Sequence, residues 1–214
     1  EELGKELKKL AELTSQANTV LVSMRWENEL AVLDGRLEEA AAIHRQMPGR
    51  GAELGMPEYA ALVDYQTSPS VILVTGAEEI PGILDLLDRH RLPVTPLRAL
   101  CLARLGRNAE VSAILERYVV GRPGFGSPAD QAGLTGDLLY LEAAVVTGHR
   151  KAAEMLLGKH AQYSYVSVIT GIGTFCVPQC LGSAAAFLGR NEEARKYYLE
   201  AIKVCTDMKA RPFL

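Results

Sequence analysis

Residues 187–202 read FLGRNEEARKYYLEAI, a glycine turn followed by a run whose apolar side chains share one face. Ala194, Tyr197, Tyr198, Ala201, Ile202 and Cys205 recur at i, i+3, i+4, i+7, i+8 and i+11, the spacing of an amphipathic helix. Gly189 ends the helix before it, because glycine enters the left-handed conformation without a Cβ clash. The stretch therefore predicts a helical hairpin that turns at Gly189.

The same arrangement recurs in VLDGRLEEAAAI at Gly35, LARLGRNAEVSAIL at Gly106 and VVTGHRKAAEML at Gly148, with a fainter unit, LVTGAEEIPGIL, at Gly76. Successive glycines lie 41, 30, 42 and 41 positions apart, periods that mark a helical solenoid. A single hairpin leaves its apolar stripe uncovered, whereas stacked hairpins bury a continuous core. The expectation is an all-α superhelix of about five hairpins spanning 1–214 as one helical-repeat domain. MPGRGAELGMP (47–57) and GRPGFGSPADQAG (121–133) read as Gly/Pro linkers between hairpins, and YSYVSVITGIGTFCVPQ (163–179) as a less regular stretch.

The last unit resembles the tetratricopeptide repeat, whose period is about 34 residues. Leu181 and Gly182 stand at its Leu-Gly pair, and Ala194, Tyr198 and Ala201 fill its second helix. Ala185 stands where a tyrosine is usual, Pro178 occupies the usual tryptophan position, and Thr206 the closing proline's. Together with GRLEEAAAIHRQM near the start, the texture is similar to tetratricopeptide-like regions of bacterial LuxR-type regulators and of ATPase–cyclase signalling proteins. That resemblance implies a non-catalytic region of a signalling or transcription-regulatory protein. The chain opens on Glu1 and stops at ARPFL, which reads as a piece excised from a longer chain.

Composition narrows the function classes. With 23 basic and 26 acidic residues the formal charge is −3, so the footprint of a phosphate-neutralising surface is missing and direct nucleic-acid binding is not expected. The longest apolar runs, such as VILVTGA and LEAAVV, fall far short of the roughly 20 residues that span a bilayer. No membrane association is expected, and the reading is cytoplasmic. Four cysteines, Cys101, Cys176, Cys180 and Cys205, are too few for a disulfide framework and read as reduced, buried thiols.

Two stretches imitate nucleotide motifs. GRPGFGS (121–127) has the glycine spacing of a phosphate loop but no lysine, and the amphipathic VSAILERYVV precedes it where a strand belongs; it reads as a flexible linker. SVILVTGAEE (70–79) has the β-branched run of a dinucleotide-binding strand, but lacks the other glycines, and Gly76 falls on the repeat period; it reads as the first helix of a hairpin. Cys176 and Cys180 are four apart with Pro178 between them and no further ligand near in sequence, so no metal site is expected. His44 and His160 fall on the inner side of second helices, His149 in a turn and His90 in DRHRLP; the four fit no Ser/His/Asp or Cys/His order and read as packing or solvated residues.

No cofactor and no enzymatic activity are expected. The expected role is a scaffold that binds a protein or peptide, or another domain of its parent chain, with homodimerisation through the repeat ends as a further outcome. Arg98, Arg104, Tyr140, Tyr163, Tyr165 and Phe175 are the groove candidates, because aromatic and Arg side chains anchor peptides well. The alternatives are a small-ligand sensor region and, from another class, a nucleotide-binding α/β enzyme.

Overall fold

A glycine that follows an apolar helical run and precedes a polar first turn dictates the local structure at five places. In the computed structural model, Gly35, Gly55, Gly106, Gly148 and Gly189 hold φ between 69° and 80°. At each, the glycine N–H reaches the carbonyl three residues back and the next residue's N–H the one five back, over 2.8–3.3 Å. This double bond satisfies carbonyls that a helix end otherwise leaves orphaned. Four of these glycines are those of the repeat, and Gly55 closes a fifth turn inside a stretch that reads as a linker.

The residue after the glycine then starts the next helix. Arg36 pairs with Glu39, Arg107 with Glu110 and Arg190 with Glu193, while His149 accepts the Ala152 N–H at 3.3 Å through Nδ1. These ion pairs are exposed and worth little each, but the glutamates also sit where the helix dipole favours negative charge. Five residues past the glycine, Ala40, Val111, Ala153 and Ala194 are all buried. Small side chains at that point let the paired helices approach closely.

The structure describes residues 2–74, 77–89, 95–130, 132–163, 167–170 and 173–210. Among them are eleven α-helices: α1 (Glu2–Thr14), α2 (Ala17–Asp34), α3 (Leu37–Glu53), α4 (Pro57–Val74), α5 (Ile80–Arg89), α6 (Thr95–Arg104), α7 (Asn108–Leu115), α8 (Leu134–Thr147), α9 (Arg150–His160), α10 (Val177–Phe187) and α11 (Asn191–Met208). A π-helical turn, Glu116–Val120, extends α7. The fold is mostly helical, with one exception. Ser167–Thr170 (β1) and Gly173–Cys176 (β2) pair as a two-stranded sheet, in the stretch whose irregularity the sequence registered without its strands. The β-branched VIT of β1 is the signal for it.

The chain divides into two units, one built mainly from Glu1–Leu92 and the other mainly from Pro93–Thr170 with Phe175–Met208. In the first, α2, α3 and α4 pack on one another around Leu21, Met47, Ala60 and Val63. Here the linker expected at 47–57 is corrected: α3 continues to Glu53 with Pro48 inside it, and α4 begins at Pro57. Packing overrides propensity, because a Cβ on Gly51 would lie 2.0 Å from the Ala60 Cβ, so this glycine is what lets α3 and α4 meet. In the second unit, α6 packs on α7 and α8, α8 on α9 and α10, and α10 on α11. Its core includes Leu97, Leu100, Leu115, Leu138, Leu156, Leu157 and Leu181, all fully buried.

Candidate functional site

In the first unit, α3, α4, the short turn Ala77–Glu79 and α5 enclose a cavity of about 600 Å³. Its apolar wall comes from Pro48 and Ala52 on α3, Pro57 and Ala61 on α4, and Ile83 and Leu86 on α5. The polar lining is His44, Arg45, Asp64, Glu79 and Arg89. His44 and Asp64 are buried, 5% and 3% exposed, whereas Arg45 and Arg89 are open to solvent. The cavity thus has an enclosed polar end and a charged mouth.

At the mouth the charges cancel: Arg45 pairs with Glu79, and Arg89 with Asp85. The inner end is different. His44 Nε2 lies 3.2 Å from Ser68 Oγ and 3.2 Å from Asp64 Oδ1, yet Oδ1 accepts no hydrogen bond. The short distance is therefore proximity without donor alignment, and the carboxylate oxygen is left unsatisfied. Burial drives the Asp64 pKa up to about 7, with the nearby Glu79 charge adding to it. Burial also lowers His44 to about 4, outweighing the pull of Glu79, so His44 is neutral at physiological pH.

The three residue types of an acyl-transfer triad meet here without its geometry. A triad needs the hydroxyl on one imidazole nitrogen and the carboxylate on the other, but both approach Nε2. Ser68 is also fully buried and donates its hydroxyl to the Asp64 carbonyl at 2.8 Å. Its role is to pack and to tie one turn of α4.

The second unit holds a different polar cluster. Asp137 on α8 accepts from Arg122 Nη2 at 2.7 Å, from Lys159 Nζ at 2.7 Å and lies 2.9 Å from His160 Nε2. Asp130 takes Lys159 at 2.6 Å. Burial works against both carboxylates, but hydrogen bonds outweigh it and hold both below the ordinary carboxylate range. His160, Arg122 and Lys159 supply those bonds for Asp137, and Lys159 with the Gly126 and Ala132 N–H groups for Asp130. Two cations meet two anions, and Phe125 lies 5.3 Å from both the Arg122 and the Lys159 charge. The network pairs its charges within the cluster, while His160 Nδ1 is buried without a hydrogen bond.

It also settles what GRPGFGS does. The Gly126 N–H, which in a phosphate loop would face a ligand, donates to Asp130 Oδ2 at 2.9 Å, and the Ala132 N–H to Oδ1 at 3.1 Å. The protein's own carboxylate occupies the amides, so the flexible linker expected here is a tethered loop. Of SVILVTGAEE, residues 70–74 belong to α4, helical as expected but packed chiefly on the preceding α3, while Gly76 lies outside the described residues.

The groove candidates do not converge. Phe175 is fully buried and Tyr140 is 5% exposed, so both serve the core and neither is offered to a partner. Arg98 and Arg104 both lie on α6, six residues and hence roughly 120° apart around the helix. Tyr163 is exposed beside His160, and Tyr165 lies outside the described residues. All four cysteines are free and buried, with Cys176 and Cys205 Sγ 3.2 Å apart; burial, the largest influence on each, drives Cys101 and Cys176 up to about 12. Among the described residues no group of three or more His, Cys, Asp or Glu is placed to hold a metal. No helix there is long and apolar enough to cross a membrane.

Sequence reading placed His44 on an inward helix face but passed over Asp64, Asp130 and Asp137. Their signal was an acid at core spacing: Asp64 follows Ala60 and Ala61 by one helical turn, and Asp137 stands among Leu134, Leu138 and Leu141. No family model matches this chain, and neither curated proteins nor solved structures contain a match.

Proposed function

We propose that this chain is a non-catalytic helical-hairpin scaffold whose work is to bind an amphipathic helix of a partner protein on the outer face of α11. One observation carries the reading. Nine residues past the turn glycine, Leu115 and Leu157 are fully buried, whereas the equivalent Tyr198 is 38% exposed, beside Leu199 at 54% and Ile202 at 51%. The last hairpin keeps the apolar spacing of its predecessors, but among the described residues these side chains stay exposed. Exposed Arg195, Lys196 and Lys203 flank the three side chains, which selects a helix with acidic margins around its apolar stripe.

A superhelix of stacked hairpins, and membership of a bacterial signalling or transcription regulator, belong to the same proposal. The repeated Gly-Arg/His turn and the tetratricopeptide-like last unit support them. The Gly182 side of α10, where a Cβ would come within 2.9 Å of the Tyr198 ring, supplies the close helix approach that such a hairpin uses.

The test is site-specific photo-crosslinking in cells, with the reactive group at Ile202 and a control at the exposed Glu192. Adducts to an acidic amphipathic helix of another protein at Ile202, lost in an Ile202→Glu Leu199→Glu background when the group is moved to Tyr198, support the reading. Equal adducts at both positions sink it. Adducts only to a second copy of this chain replace the partner by a homodimer.

A further inference from the structure

The cavity of the first unit makes no use of the α11 surface, and its chemistry points elsewhere. We infer that it is a binding site for a small organic amine, with the ammonium group on Asp64 and an apolar body along the wall of Ile83, Leu86, Ala61 and Pro48. At about 600 Å³ it lies within the roughly 300–1,000 Å³ of small-molecule pockets. Apolar walls around few polar groups are the usual construction of such pockets.

The class of ligand follows from the charges. On α3, Arg45 is spent on Glu79; on α5, Arg89 is spent on Asp85. His44 is buried and uncharged at neutral pH. Asp64 on α4 remains, 3% exposed, with Oδ1 lacking any hydrogen bond. A buried acceptor without a donor costs on the order of 1–3 kcal/mol, more if charged. An ammonium group supplies the missing donor and the missing counter-charge together. A hydroxyl supplies only the donor, and a carboxylate meets repulsion from Asp64. Burial, with the Glu79 charge adding to it, holds Asp64 at a pKa of about 7, the direction expected of an acid with no cation beside it in the protein.

Isothermal titration calorimetry of the whole chain with hexylammonium, 1-hexanol and hexanoate tests the assignment. Hexylammonium should bind about thirtyfold or more tighter than hexanol, the lower range for one partner of a buried charge pair, and hexanoate should give no heat. Asp64→Asn, nearly isosteric, should bring hexylammonium down to the level of hexanol. Gly82→Leu supplies an independent check: Gly82 lines the cavity and nothing lies within 4 Å of a Cβ there, so the added side chain has room at the cavity wall and should weaken both. Equal affinity for hexylammonium and hexanol, unchanged hexylammonium binding in Asp64→Asn, or no heat from hexylammonium would each overturn the assignment.

Discussion

Two glycines two positions apart on α3 answer to opposite physics. In a helix interior, replacing glycine by alanine ordinarily stabilises by roughly 0.5–1 kcal/mol. At Gly49 nothing lies within 4 Å of the new Cβ, so Gly49→Ala should raise the melting temperature. At Gly51 the Cβ would lie 2.0 Å from that of Ala60, and overpacking of about 1–3 kcal/mol exceeds the propensity gain. Gly51→Ala should lower the melting temperature, and a higher one would show that α3 and α4 separate freely. His44 and Asp64 make a second residue-scale prediction. Asp64 is raised from 3.8 to about 7, so its contribution to stability is present below pH 3.8 and is lost as pH rises through 7. His44 is lowered from 6.5 to about 4, so its contribution is present above 6.5 and is lost as pH falls through 4. Between pH 4 and 6.5 the two oppose one another and flatten the profile. Asp64→Asn removes the first: relative to the native chain it should melt higher at pH 8, by an amount corresponding to at most a few kcal/mol, with no advantage near pH 4. An equal gain at both pH values would mean that the substitution acts by packing alone. His44 was legible from its helix face, while the acid that gives it meaning lies 20 residues away on the next helix, a distance that periodicity does not bridge.

Turns were the legible elements and loops the illegible ones. Gly35, Gly106, Gly148 and Gly189 were found from sequence because a helix C-terminus needs a local residue with a local conformation, and each then holds a positive φ. The loop at 121–133 was missed because what fixes it is non-local: Arg122 reaches Asp137, and Lys159 on α9 reaches back to Asp130. Composition there says only that the backbone is permissive. Since the side chains of Asp137 and Asp130 are almost wholly buried, removing one cation leaves two buried carboxylates to share the other and one negative charge uncompensated. Arg122→Ala or Lys159→Met should therefore destabilise by about 3–5 kcal/mol, read by chemical denaturation. A loss below about 1 kcal/mol would be that of an exposed pair and would contradict the buried network. The strands β1 and β2 escaped sequence reading for a related cause. A four-residue run carries too short a period to be told from an irregular helix end.

At the scale of the molecule, the repeat glycines located four of the turns but gave no sign of a division between cores. Each unit has its own buried centre, Leu21, Met47, Ala60 and Val63 in one, and Leu97, Leu100, Leu138 and Leu157 in the other. The single tryptophan, Trp26, lies on α2 in the first. Its fluorescence reports that unit, while far-UV circular dichroism averages both. In Lys159→Met, the dichroism should shift to lower denaturant and broaden, with the Trp26 midpoint unchanged; coincident shifts in both signals would show one cooperative system. The five glycine turns have one more consequence, in time. Each joins helices that are neighbours in sequence, so most of the pairing they enforce asks the chain to close only a short loop, and the entropy of closure grows with loop length. Chains dominated by such local contacts fold in microseconds to milliseconds. Any of the five turns can serve as a starting point, and an obstacle at one leaves the others free to begin.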